Sequence, residues 1–279
     1  MHSDVKSEPV AQHRLWPSLV TLVVALIGLL IGSCLLGLLL GVPAAGEPVD
    51  VVALTQRPSF LVASAAISQL ALFLAIKKMP ARLDDVGPAG WYERVWWRPE
   101  RFKVLDVLII AVGVMSVGSL GLSLLSAAGV SGGILSQFES ASRRSDPATK
   151  AWLLLFSAIA PGSIEELAFR GLLQSRLIER WGAPVGITVA SLLFGLWHFD
   201  LRQGLVAVSV GLWLGWCAHR QKTVVNVGFG HALNNAVAIG LSSLALERSE
   251  PTAVSVMAMA ATAATCLAAF WFRTRPARP

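Results

Sequence analysis

The sequence predicts an all-α membrane protein, a polytopic bundle of about eight transmembrane helices. Of its 279 residues, 54% are hydrophobic and only 14% are charged, and the mean hydropathy is +0.63. A soluble domain of this length carries about 25% charged residues. Apolar runs close to the roughly 20 residues that cross a bilayer occur along the whole chain. This composition leaves no room for a separate soluble domain.

Each predicted span is an apolar run between more polar segments. The eight runs are residues 18–41, 59–76, 104–127, 151–174, 184–199, 204–218, 224–246 and 252–272. The first run follows a polar segment without a convincing cleavage site, so we expect a retained span and not a removed signal peptide. The spans form a single transmembrane domain, residues 18–272, between an N-terminal tail, residues 1–17, and a basic C-terminal tail, residues 273–279.

The distribution of Lys and Arg predicts the orientation of the bundle. With the N-terminus in the cytoplasm, the cytoplasmic segments hold 16 of the 23 Lys and Arg residues and the opposite side holds 6. Because Lys and Arg accumulate in cytoplasmic loops, we expect both termini in the cytoplasm and the bundle in the cell (inner) membrane. The net charge of +6 then reflects topology, and no nucleic-acid partner is expected.

Two connections between spans have a distinctive composition or length. Residues 87–103 combine Trp91, Trp96 and Trp97 with several Arg residues, and both residue types favour the membrane interface. We therefore predict an interfacial anchor between the second and third spans. Residues 131–150 form a longer connection on the outer side, and the sequence indicates no role for it.

The fourth span contains three ionisable residues, Glu165, Glu166 and Arg170. Charged side chains inside a span are costly when they face lipid, so these should face the bundle interior or a water-filled cavity. Glu166 and Arg170 are four residues apart on one helix face and can form an ion pair. Glu165 lies about 100° around the helix and can point elsewhere.

A purely structural interpretation competes for the same carboxylates. Ser163-x-x-Glu166 has the capping-box pattern, and Pro161-Gly162 directly before it would interrupt a helix. On this interpretation Glu165 and Glu166 are first-turn residues of a helix that begins inside the membrane. The two interpretations are compatible, because interrupted backbone within a membrane is tolerated where it lines a cavity.

Two later spans contribute imidazole and amide groups. His198 follows Phe194 by four residues at the end of the fifth span, and His231 precedes Asn235 by four residues in the seventh. A lone histidine in a span more often bonds a neighbouring helix than takes part in catalysis. A carboxylate with an imidazole can activate water, however, and further imidazole and amide donors can hold a developing oxyanion.

These residues occur in the order Glu-Glu-x-x-x-Arg, Phe-x-x-x-His and His-x-x-x-Asn on successive later helices. The ordered set resembles the three motifs of the CPBP family, the CAAX-protease and bacteriocin-processing family, also called the Abi, CAAX prenyl protease 2 or type II CAAX prenyl endopeptidase group. The resemblance covers about residues 161–241, and the first three spans match only in hydrophobic character. It implies an intramembrane endopeptidase whose motif residues line a conical cavity open to the cytoplasm.

The resemblance also implies catalytic roles. Glu165 would be the general base that polarises water, with help from His198. His231 and Asn235 would stabilise the oxyanion of the tetrahedral intermediate. The substrate would be a membrane-anchored protein or peptide, in a reaction of the CAAX or C-terminal-anchor type.

Three further residues complete the predicted site. The resemblance implies that Arg170 holds Glu166, itself a member of the catalytic set, ionised and in place. It further implies that Phe194 packs behind His198.

Zinc chemistry is the alternative to a glutamate-activated water. Glu165, His198 and His231 are the candidate ligands, since histidine and glutamate side chains bind Zn²⁺. The His-Glu-x-x-His spacing of a zinc metalloprotease helix does not occur in the sequence. We therefore favour catalysis without a cofactor.

Two other functions fit some of the same features. Intramembrane Glu, His and Arg also suit an ion- or proton-coupled transporter, although the polar groups cluster in one half of the chain and no inverted repeat is evident. A non-catalytic immunity or scaffold relative is the third hypothesis, which the intact motif set disfavours. The sequence specifies neither the substrate nor the cleavage site.

Overall fold

The computed structural model describes residues 14–41, 57–83, 95–130, 132–243 and 252–275. Within these ranges all regular structure is helical, with one short 3₁₀ turn at Pro99–Arg101. The described helices are α1 (Trp16–Gly41), α2 (Pro58–Leu83), α3 (Val104–Ala127), α4 (Ile134–Arg144), α5 (Pro147–Trp181), α6 (Ala183–Leu196), α7 (Leu201–Gln221), α8 (Val225–Ser243) and α9 (Ala253–Arg273). The predicted all-α architecture is confirmed.

Eight of these helices coincide with the eight predicted spans, and the bounds of α3 are those predicted. Six of the described helices, α1, α2, α3, α5, α7 and α9, are long and apolar enough to cross a membrane. The chain is thus a multi-pass membrane protein. Helix α6 is apolar but has only 14 residues. Helix α8 has 19 residues but is not among the helices that are long and apolar enough to cross a membrane, so the count of eight spans is approximate.

Some predictions concern residues outside the described ranges. These are most of the N-terminal tail, the end of the basic C-terminal tail, Trp91 with its neighbours up to residue 94, and residues 244–246 of the predicted seventh span. From residue 95 the predicted interfacial segment packs on the bundle, because Val95 is fully buried. The carbonyl oxygen of Trp96 also accepts a hydrogen bond of 2.9 Å from the backbone N–H of Val224.

The outer connection, residues 131–150, contains a helix that was not predicted from the sequence. Helix α4 occupies most of it, and Asp146 then caps the start of α5 by accepting hydrogen bonds from the backbone N–H groups of Ala148 and Thr149, at 2.9 and 3.0 Å. Pro147 at the first helical position suits this start, because its missing N–H would have no partner there. Helix α5 therefore begins at residue 147, before the predicted 151.

Helix α5 continues without a break past Pro161. The capping-box interpretation is therefore wrong: Ser163 donates its hydroxyl hydrogen bond backwards to the carbonyl of Ile159, at 3.1 Å, as a residue within a helix does. Two π-helical segments, Leu155–Ile159 and Leu167–Gln174, flank the Glu165-Glu166 turn. Such wide turns often occur at functional sites.

Two groups of buried apolar side chains form the core. One joins α1, α2, α5 and α6, through residues such as Leu72, Phe169 and Phe194. The other joins α3, α7, α8 and α9, through residues such as Trp213 and Phe270. Leu167 of α5 packs against both groups. The turn that carries the two glutamates therefore lies between the two halves of the bundle.

A polar cluster around the buried Asp106, here called the Asp106 clamp, links α3, α7, α8 and α9 at one end of the bundle. Asp106 of α3 accepts hydrogen bonds of 2.8 Å from Arg273 of α9 and from Gln221 of α7. Asn226 of α8 donates a bond of 3.0 Å to the side-chain oxygen of Gln221. The clamp brings together the start of α3, the α7–α8 turn and the end of α9, three segments that the charge count assigns to one side of the membrane.

Candidate functional site

The first and third motifs meet at the carboxylate of Glu166. Its Oε1 atom lies 2.9 Å from Arg170 Nη1, one turn along α5, and 2.9 Å from His231 Nδ1 on α8. The side chains of Glu166 and Arg170 are each only 1% exposed. A buried carboxylate is stable when it is paired and hydrogen-bonded. The Glu166–Arg170 ion pair that the spacing allowed is thus present. His231 on another helix contacts the same carboxylate oxygen.

The hydrogen bond to Glu166 determines what the His231 ring can do. A carboxylate paired with a guanidinium accepts hydrogen bonds, so Nδ1 of His231 carries the hydrogen. In the neutral ring Nε2 is then an acceptor, whereas in the imidazolium both nitrogens donate. Donation from His231 to an oxyanion therefore requires the doubly protonated ring.

Phe194 lies at the centre of the site. The guanidinium carbon of Arg170 sits 4.2 Å from the centre of the Phe194 ring, a cation–π distance. The ring centre of His198 is 4.9 Å from that of Phe194 with the planes nearly perpendicular, and the His231 ring is 6.2 Å away. One phenyl ring thus contacts residues of all three motifs.

His198 is half-buried near the end of α6, and its Nδ1 atom lies 2.9 Å from the backbone carbonyl of Phe194. Because a carbonyl only accepts, Nδ1 carries the hydrogen, and the neutral ring presents Nε2 as an acceptor. That tautomer suits a group that accepts a proton or orients water. In the part of the chain that the structure describes, no hydrogen bond joins His198 to Glu165.

Glu165 points away from the Glu166 cluster, towards α2. It is 7% exposed, and its Oε1 atom accepts a hydrogen bond of 3.0 Å from Nε2 of Gln69. Gln69 was not predicted as a site residue, although an amide inside the apolar run 59–76 was the available signal. Through Gln69, the second predicted span thus contributes a hydrogen bond to a motif side chain.

Asn235 follows His231 by one turn of α8 and is partly buried. Its Oδ1 atom accepts a hydrogen bond of 3.0 Å from the Asn234 side chain. Because the Asn235 oxygen accepts this bond, the orientation of its amide group is fixed and its two N–H donors can bond another group. The arrangement suits a donor to a negatively charged oxygen.

A close approach of two helices places His231 beside Glu166. A Cβ atom on Gly162 would lie 2.5 Å from the backbone nitrogen of Ala232, and one on Gly228 would lie 2.9 Å from the carbonyl oxygen of Gly162. Only residues without a side chain fit at such crossings, which are typical of helix packing in membranes. Helices α5 and α8 thus touch through backbone one turn from the ion pair.

Replacing Gly162 by alanine is expected to lower the free energy of unfolding by about 1–3 kcal/mol, because the added methyl group must push α8 away from α5. A denaturant titration in detergent micelles measures the change. Gly240→Ala on α8 is the matched control, since its Cβ would have no atom within 4 Å. Equal stability of the two variants would contradict the close approach.

The donor set does not fit a metal ion. Among the residues that the structure describes, no three His, Cys, Asp or Glu side chains form a group that could hold one. The candidate zinc ligands Glu165, His198 and His231 are directed to three different partners, Gln69, the Phe194 carbonyl and Glu166. We therefore assign no reaction step to a metal.

The apolar helices, with buried ionisable groups between them, define an intramembrane site. Residues 147–237 match the family model described as Type II CAAX prenyl endopeptidase Rce1-like. This match supports the resemblance to CPBP-family intramembrane proteases that the three motifs predicted. It covers 91 of the 279 residues, from the first residue of α5 into α8. No curated protein and no solved structure matches the chain significantly.

Proposed function

We propose that this chain hydrolyses peptide bonds of membrane-anchored protein or peptide substrates with a water molecule activated by Glu165. The observation that supports this most strongly is the contact between Glu166 and His231. It joins the first and third motifs, 65 residues apart in sequence, inside the bundle. A family of CAAX-type endopeptidases supplies the reaction class.

The proposed reaction begins at the free oxygen of Glu165. Because Gln69 occupies Oε1, Oε2 takes a proton from water while the water oxygen attacks the carbonyl carbon of the scissile bond. His198 helps to orient the water through Nε2. The electrons of the C=O bond move to the oxygen. When they return and re-form the carbonyl, the C–N bond breaks, its electrons leave with the nitrogen, and Glu165 returns the proton to that nitrogen.

Asn235 and His231 are proposed to stabilise the oxyanion of the tetrahedral intermediate. Asn235 can donate from its amide, and His231 can donate from Nε2 when its ring carries both protons. Glu166 then accepts from Nδ1 of that imidazolium, while Arg170 balances the carboxylate. In this proposal Glu166 and Arg170 position His231, and neither takes up the proton of water.

The proposed substrates carry a lipid or an apolar C-terminal anchor beside the cleaved bond. The proposed setting is the cell (inner) membrane with both termini in the cytoplasm, so cleavage would occur on cytoplasmic segments. A quenched fluorogenic peptide that ends in a farnesylated CAAX sequence, incubated with the protein in liposomes, tests the class. The same peptide without the farnesyl group shows whether the lipid is recognised. Cleavage of neither peptide by folded protein would contradict a CAAX-type substrate.

His198→Ala is expected to lower kcat on the cleaved peptide by about 10²-fold, because the acceptor that orients water is lost. His219→Ala is the matched control: His219 is also half-buried, but it lies near the end of α7 and contacts Lys222 at 3.1 Å. Wild-type kcat in folded His198→Ala protein would remove His198 from the mechanism.

A further inference from the structure

Gln69 is an unusual residue for its position. It lies in the middle of α2, is 5% exposed, and occurs in a run of otherwise mostly apolar side chains. Its neighbours Leu72 and Ile76 pack into the apolar core with Phe169 and Leu173 of α5. An apolar side chain would fill such a place without the free-energy cost of burying an amide. The amide therefore calls for an explanation beyond packing.

The hydrogen bond to Glu165 supplies this explanation. Nε2 of Gln69 donates to Oε1 of Glu165 at 3.0 Å, and no cation pairs with that carboxylate among the described residues. Glu166, by contrast, shares its Oε1 with Arg170 and His231. The two adjacent carboxylates thus have different direct contacts: Glu166 forms an ion pair with Arg170, whereas the hydrogen bond to Glu165 comes from a neutral amide.

A neutral donor is well suited to a general base. It fixes the plane of the carboxylate, so that the second oxygen has a defined direction, and it leaves the negative charge available for a proton. An arginine or lysine in its place would also orient Glu165 but would compensate its charge. Groups that hold a catalytic side chain in its reactive geometry contribute to rate without touching the substrate.

We propose that Gln69 is the positioning residue of Glu165, and that α2, which lies outside the family-matched segment 147–237, thereby forms part of the active site. This inference rests on the proposed role of Glu165 as general base. It adds that the catalytic unit extends beyond the three motifs to a helix in the first half of the chain.

Two substitutions separate hydrogen bonding from packing. Gln69→Met keeps the side-chain length and removes the donor, so kcat on the farnesylated peptide should fall about tenfold to a hundredfold with KM unchanged. Gln69→His can place an N–H at a similar distance and should retain most of the activity. If both variants fall equally, or if KM alone changes, the positioning role is wrong.

Gln174→Met provides the matched control. Gln174 is also a buried glutamine, but its Nε2 donates to the backbone carbonyl of Gly215, at 2.9 Å, and not to a motif residue. Its substitution should leave kcat within about twofold of wild type. A loss equal to that of Gln69→Met would show that any missing buried amide has this effect, and it would overturn the inference.

A second measurement needs no substrate. In protein labelled with ¹³C at the glutamate carboxyl carbon, Glu165→Gln identifies the signal of Glu165 by its disappearance. That signal should shift in Gln69→Met and stay in place in Gln174→Met. An unchanged signal in Gln69→Met would refute the contact. If the wild type cleaves neither peptide, the CAAX-type substrate fails, while this spectrum still decides whether Gln69 holds Glu165.

Discussion

Replacing Glu165 by glutamine is expected to lower kcat for peptide cleavage by about 10²- to 10⁴-fold, the usual contribution of a general base. The variant has nearly the same shape, so the fold and KM should stay close to wild type. Rates on the farnesylated fluorogenic peptide in liposomes, together with a thermal unfolding curve in detergent, measure both quantities. The expected result is a folded protein that binds the peptide and scarcely cleaves it.

Glu179→Gln is the control for this substitution, because Glu179 is an exposed carboxylate near the end of the same helix, α5. It should retain wild-type kcat. Cleavage by Glu165→Gln at the control rate would assign the base to another group. Ion flux through liposomes that disappears with Glu165, in the absence of any cleavage, would instead favour the transporter hypothesis.

Arg170→Met is expected to destabilise the protein by about 3–5 kcal/mol, because it leaves the Glu166 carboxylate buried without its cation. Replacing both members of the pair, in the double variant Glu166→Gln with Arg170→Met, should restore most of that loss, since no uncompensated charge remains. The free energies of unfolding of the two single variants and the double variant, measured in detergent, form the test.

An exposed pair of the same spacing is the control for this cycle. Arg143 and Glu139 on α4 are also four residues apart, at 4.0 Å, but the Arg143 side chain is 40% exposed. Arg143→Met should change stability by at most about 1 kcal/mol. A similar small effect at Arg170, or a double variant less stable than Arg170→Met, would show that the unpaired buried charge is not the main cause of the destabilisation.

Apolar run length was sufficient to locate eight helices, because burial in lipid requires long apolar runs with satisfied backbone. The same criterion missed α4, whose polar composition is unlike that of a span. The helix start suggested by Pro161 and Ser163 was wrong because a π-helical turn before the proline lets the chain continue. The capping-box pattern alone does not reveal that a π-helical turn precedes the proline.

Contacts within the site were predictable where the two residues lie one turn apart on the same helix. Four-residue spacing indicated the Glu166–Arg170 contact, and the motif order indicated which helices would contribute. The contact between Glu166 and His231 depends on the crossing of two helices at Gly162, which the periodicity of either helix alone does not specify. Gln69 escaped notice because it belongs to no motif, and its partner is 96 residues away.

The Asp106 clamp bears on how the protein is made. Asp106 and Arg273 are 167 residues apart, so a ribosome that has delivered α3 to the membrane must synthesise almost the whole remaining chain before the carboxylate meets its cation. Until then the carboxylate at the start of α3 lacks its cationic partner. Completion of α9 is therefore the step that closes the second half of the bundle, and a nascent chain that stops before Arg273 should be a preferred substrate for membrane quality control.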